Sequence, residues 1–201
     1  MPLPAKKPAK RPGGRAALVS SRIFDAALLL LVEKGFAAFS LSDLAERAQV
    51  TRSTLYRRWP TKSALVLDAI AARINQQVLL ADTGSFAGDF AIALKSLALF
   101  LNSPVGRAAI SAGLEIDRGE TVVAQWKALG DARLAAIRAI FERAMARGEF
   151  PANGDWEAFL AAAAGAMYFR IIVTSRDPDA AWIERVLTLL LPIASAGRRT
   201  P

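Results

Sequence analysis

Apolar residues recur along this chain at intervals of three and four, the spacing of one helical face, and no run alternates with a period of two. Over 20–34, Ile23, Ala27, Leu30 and Leu31 share a face, and Gly35 supplies a left-handed position to end the helix. Ser40 and Asp43 make a capping-box-like start for a short second helix through Ala48. Thr51 caps a third helix that must stop before Pro60, and Thr61 caps a longer fourth with Leu65, Leu67, Ile70 and Ile74 among its apolar positions. Turn signals at Asp82-Thr83-Gly84, Asn102-Ser103-Pro104, Arg118-Gly119, 147–154 and Asp177-Pro178-Asp179 divide the remainder into helices near 86–101, 104–117, 120–147, 155–175 and 179–196. The pattern predicts an all-α fold of about nine helices. Residues 1–17, rich in Pro, Lys, Arg and Gly, cannot bury a core and read as a disordered basic arm.

Between Ser40 and Trp59 two short helices flank a tight turn, with Leu44, Ala45, Ala48, Val50, Leu55 and Trp59 where two crossed helices bury them. This is a helix-turn-helix pattern, and its second helix is the candidate for a DNA major groove. Thr51 and the N–H groups after it suit a phosphate. Arg52, Ser53 and Thr54 lie in the first turn, where side chains reach base edges. Tyr56, Arg57, Arg58 and Lys62 are placed for backbone phosphates. A helical hairpin with a basic outer face fits the same spacing.

Charge sharpens the choice. Residues 1–17 carry Lys6, Lys7, Lys10, Arg11 and Arg15 with no acid, and residues 18–81 carry eight bases against five acids. From 82 onward acids and bases balance, so the whole net charge of +8 sits at the end bearing the helix-turn-helix. That asymmetry suits a polyanionic partner. The absence of Cys and His removes disulfides, Cys/His zinc sites and imidazole-activated nucleophiles. Glu115, Asp117 and Glu120 straddle the Gly119 turn as a solvated loop, and Leu94 precedes Lys95-Ser96 where a phosphate loop needs Gly. No enzyme, metal or cofactor is expected. Arg170 interrupts the longest apolar run and no apolar segment follows the basic N-terminus, so a soluble cytoplasmic protein without a membrane partner is expected.

The wider string resembles the N-terminal domain of the TetR/AcrR family of bacterial repressors. The carriers are Ile23, Ala26-Ala27, Gly35-Phe36, Ser40, Asp43-Leu44-Ala45, Ala48-Gln49-Val50-Thr51, and above all Thr54-Leu55-Tyr56-Arg57-Arg58-Trp59-Pro60-Thr61-Lys62 with Leu65. The resemblance implies phosphate contacts from Tyr56 and Lys62, and a groove-facing set of Thr51, Arg52, Ser53, Thr54, Arg57 and Arg58; Ser40 joins the DNA-binding candidates. Gln49 departs from the Gly usual in this turn and costs about 1 kcal/mol if its backbone is left-handed.

The same resemblance implies three parts: the arm at 1–17, a helix-turn-helix domain at 18–64, and a helical effector-binding and dimerisation domain at 65–201. Phe86, Phe90, Leu94, Leu114, Trp126 and Met167 are candidate linings of a hydrophobic-effector pocket. The last two helices are apolar on more sides than one protomer's surface tolerates. Tyr168, Phe169, Ile172, Trp182, Val186, Leu189, Leu190 and Ile193 are candidates for a homodimer interface, the other reading being burial within the monomer. The implied function is a homodimeric repressor released from a palindromic DNA operator by a small effector; a constitutive DNA-binding regulator without an effector is the alternative.

Overall fold

The computed structural model describes residues 14–116 and 119–195, and among them the chain forms nine helices and no strand. They are α1 (Gly14–Ala38), α2 (Leu41–Arg47), α3 (Arg52–Arg58), α4 (Lys62–Gln77), α5 (Phe86–Asn102), α6 (Pro104–Glu115), α7 (Glu120–Ala146), α8 (Trp156–Ile172) and α9 (Ala180–Ser195). Gly14–Ala17 already belong to α1, so the expected arm is shorter by that turn: Arg15, Ala16 and Ala17 are strong helix formers continuous with Leu18. Residues 1–13 of that arm, Asp117 and the Glu120 side chain lie outside the described residues. Gly35 breaks α1 at φ 76° and ψ 167°, a conformation open to Gly and costly for a residue with a Cβ.

Two apolar clusters organise the helices. The first buries Ile23, Ala27, Leu30 and Leu31 of α1 against Leu44, Ala45, Leu55 and Trp59 of the head and Leu65–Leu67 of α4. It also takes in Ala112 and Ile116 at the end of α6, which lies along α1. The boundary expected at 64/65 thus falls inside α4, whose first half completes the core of the head.

The second cluster joins α5, the C-terminal half of α7, α8 and α9. Its centre is five phenylalanines, Phe86, Phe90, Phe141, Phe150 and Phe159, with neighbouring ring centroids 5.1–6.0 Å apart, mostly tilted or edge-on. Such pairs add about 0.5–1.5 kcal/mol each beyond area burial. Asp89 is fully buried beside them; it accepts hydrogen bonds from the Thr83 N–H (2.6 Å) and hydroxyl (2.8 Å) and pairs with Arg143 (3.3 Å). Burial alone would raise its pKa, but those bonds and the Arg143 charge outweigh burial and hold the carboxyl below its ordinary value.

α5 and α6 meet at a sharp corner in which Ser103 ends one helix and caps the next. A Cβ on Gly106 would lie 1.9 Å from the Phe100 carbonyl oxygen, so the corner admits only Gly there. No single described helix is long and apolar enough to cross a membrane.

Candidate nucleic-acid interface

The head is built from its caps. The Ser40 hydroxyl accepts from the Asp43 N–H (3.2 Å) and donates to the Asp43 carboxylate, which also accepts from the Ser40 N–H (2.7 Å). Those bonds hold the Asp43 carboxyl below its usual range, the Ser40 backbone donor contributing most. Ser40 is exposed, but its proton is committed to starting α2. The Ala48 and Val50 N–H groups close the turn on Leu44 and Ala45 carbonyls, with Gln49 between them in the left-handed region at φ 54°. Arg47 grips both Glu33 oxygens and pins α2 to α1, lowering the Glu33 pKa.

α3 then projects its outer side into solvent. The Thr51 hydroxyl accepts from the Thr54 N–H at 3.3 Å and shares hydrogen bonds of 2.9 Å with the Ser53 and Thr54 hydroxyls. Thr51, Arg52, Ser53, Tyr56 and Arg57 are exposed, while Leu55 is fully buried beneath them. Among the described residues neither Arg52 nor Arg57 has an acidic partner. A strip of hydroxyls with two uncompensated guanidiniums suits base edges and phosphates together.

Two residues expected in that set also have partners within the head. Arg58 donates to the Ser20 hydroxyl (2.7 Å) and lies 4.6 Å over the Trp59 ring, so it ties α3 to α1. Lys62 donates to the carbonyls of Phe36 (2.6 Å) and Phe39 (2.8 Å), with Ala37 at 3.5 Å, and sits 4.5 and 4.9 Å from the Phe36 and Phe39 rings. The Gly35 break leaves carbonyls without helical partners, and the ammonium supplies their donors. Burial lowers the Lys62 pKa, partly offset by Glu115. Lys62 thus anchors α4 to α1 in the free protomer.

Behind the head lies a linkage invisible to spacing. The Asp68 carboxylate on α4 accepts from the Trp59 indole N–H at 2.7 Å and from the Gln125 amide of α7 at 2.9 Å. Gln125 also donates to the Ala64 carbonyl at 2.9 Å. The end of the recognition helix is therefore joined to the body through one carboxylate. Beside it, α4 and α7 flank an open cavity of about 420 Å³ lined by residues that include Leu67, Ile70, Ile74, Trp126, Leu129 and Arg133.

Of the six expected pocket residues, Trp126 alone lines this cavity. Phe86, Phe90, Leu94 and Met167 are consumed in the second core, and Leu114 is 70% exposed on α6. Their helical spacing marked core, not pocket. The dimer candidates divide similarly. Phe169 (60%), Ile172 (49%), Leu189 (69%) and Ile193 (58%) are exposed, as is Tyr168. Leu190 is buried in its own protomer, whereas Trp182 and Val186 are half-buried against the core. Each helix turns one apolar face inward and a second outward.

An all-helical body carrying a capped helix-turn-helix with an exposed basic recognition helix defines a DNA-binding transcriptional regulator. Known families agree: the model of bacterial regulatory proteins of the tetR family matches residues 23–69, and that of the tetracyclin repressor-like C-terminal domain matches 80–190. The chain belongs to the TetR family. It is 29% identical over 165 residues to YdeS, an uncharacterized HTH-type transcriptional regulator of Bacillus subtilis, covering 81% of this chain and 82% of the relative. It is 28% identical to the HTH-type transcriptional regulator AqdR of Rhodococcus erythropolis, covering 88% of this chain and 86% of AqdR. The fold matches the crystal structure of the TetR family transcription regulator SCO0332 with a TM-score of 0.73 at 23% identity, covering 87% of this chain and 97% of that one. The family and these relatives are transcriptional regulators, not enzymes.

Proposed function

We propose that the protein is a homodimeric repressor, bound to a roughly palindromic operator and released from it by a small hydrophobic effector. Dimerisation is supported by the outward sides of α8 and α9, where the apolar Phe169, Ile172, Leu189 and Ile193 are left exposed in one protomer. Two copies packed there form a four-helix bundle and present two recognition helices to half-sites one helical turn or a multiple apart.

The observation that carries the release step is the position of the α4–α7 cavity beside the Trp59–Asp68–Gln125 hydrogen bonds. Trp126, next in sequence to the α7 end of that chain, is a cavity wall. A molecule that spreads α4 from α7 moves Asp68, hence Trp59 and α3, and changes the distance between the two heads. Falling operator affinity then follows from tighter ligand binding to the spread state.

The test is operator affinity of the full chain, by fluorescence anisotropy, against a panel of apolar small molecules. Release by panel members is expected, and Phe169→Asp should give monomers that lose the palindromic site. Operator affinity indifferent to every ligand, and unchanged when Ala71→Leu narrows the cavity, would instead identify a constitutive regulator.

A further inference from the structure

The α4–α7 cavity carries one feature that its apolar walls do not require. Arg133 lies half-buried on its α7 side, and its guanidinium donates to the carbonyl of Val78, the C-cap of α4, at 3.2 Å. No carboxylate among the described residues pairs with it. The other described bases of α7 differ: Lys127 pairs with Asp131, Arg138 with Glu142, and Arg143 with Asp82 and Asp89. Burial alone acts on Arg133 and lowers its pKa, with no acid opposing the shift. A guanidinium has five N–H donors, and one backbone carbonyl at the negative end of α4 satisfies a small part of that capacity. Half-buried, the guanidinium is only partly hydrated, so an anion beside it meets less competition from water than at the open surface. The cavity is where such an anion would sit.

We propose that this cavity takes an anionic amphiphile, with the acid group on Arg133 and the apolar body against Leu67, Ile70, Ile74, Trp126 and Leu129. The volume, about 420 Å³, falls in the range of roughly 300–1,000 Å³ common to small-molecule sites. Asn75 at the rim offers a further amide donor to the acid group. The proposal rests on the effector reading above and narrows its ligand to one charge class.

Three probes with ten-carbon chains separate the possibilities: decanoate, decanol and decyltrimethylammonium. Binding to the full chain is read by Trp126 fluorescence, with Trp126→Phe identifying that signal, and operator affinity is followed in parallel. Decanoate should bind at least about tenfold more tightly than decanol, and the cation not detectably. Arg133→Gln should remove that preference while leaving decanol binding in place, and Arg133→Lys should restore part of it. Equal binding of decanoate and decanol, or a preference that survives Arg133→Gln, overturns the proposal, as does failure of all three to bind. The two readings fail separately. Arg133-dependent decanoate binding that leaves operator affinity unchanged sustains the site and defeats the effector role. Release by decanol and decanoate alike does the reverse.

Discussion

Asp68 is the joint on which the link between body and recognition helix depends, and removing its carboxylate has a calculable cost. In Asp68→Ala the Trp59 indole N–H loses its acceptor at 2.7 Å, and Trp59 is only 4% exposed, so water does not replace it readily. A buried donor left unsatisfied costs about 1–3 kcal/mol. Gln125 loses its Asp68 contact but keeps the Ala64 carbonyl at 2.9 Å, which limits its share to a few tenths. The sum is about 1.5–3.5 kcal/mol, or about 3–14 °C in Tm for a chain of this size. Asp68→Asn retains one acceptor oxygen and should lose about half as much. Calorimetry and urea unfolding read the stability, and anisotropy against a bound operator reads the consequence for α3. Operator affinity should fall with an unchanged salt slope, because no phosphate contact is removed. A Tm within about 1 °C of the parent, or a reduced salt slope, would refute the role given to Asp68.

Three further outcomes follow from named contacts. Lys62→Met should lower stability by about 2 kcal/mol in urea unfolding and leave the salt slope of DNA binding intact, since its ammonium serves the end of α1; a slope reduced by about one would restore a phosphate contact. Gln49→Gly should stabilise by up to about 1 kcal/mol, because Gln49 sits at φ 54° where only Gly is unstrained, less the chain entropy that Gly adds to the unfolded state. The Asp89 carboxyl titrates lower in the folded state than in the unfolded chain, so its stabilisation is complete above an unfolded pKa of about 3.9 and is lost as pH falls through the folded value. Asp89→Asn should therefore flatten the acid limb of a Tm-against-pH curve at the expense of neutral-pH stability; an unchanged limb would contradict the assignment.

Much of this was legible because it is local. Ser40, Thr51 and Thr61 cap the helices that their spacing announced, whereas the left-handed backbone at Gln49 was open until the structure showed it. What escaped depends on where a long side chain turns. The spacing that gave Arg58 and Lys62 the charge and place for DNA carried no sign of their partners Ser20, Trp59 and the opened end of α1. The pocket was missed for a related reason. Phe86 and Phe90 suit a ligand cavity by size, yet three other phenylalanines close over them, whereas the cavity is walled by aliphatic residues of α4 and by Trp126. Asp68 and Gln125 are 57 positions apart, a pairing no periodicity could suggest. Arg133 was silent because only the structure shows that no acid among the described residues pairs with it.

The most direct measurement of the central claim is selection of bound sequences from random duplex DNA with the purified full-length protein. A dimeric regulator of this build predicts enrichment of an inverted repeat whose half-site centres are one helical turn, or a multiple, apart. Arg52→Ala should then relax preference at one position in each half-site. Enrichment of a single, unrepeated half-site, or of no sequence, would contradict the account.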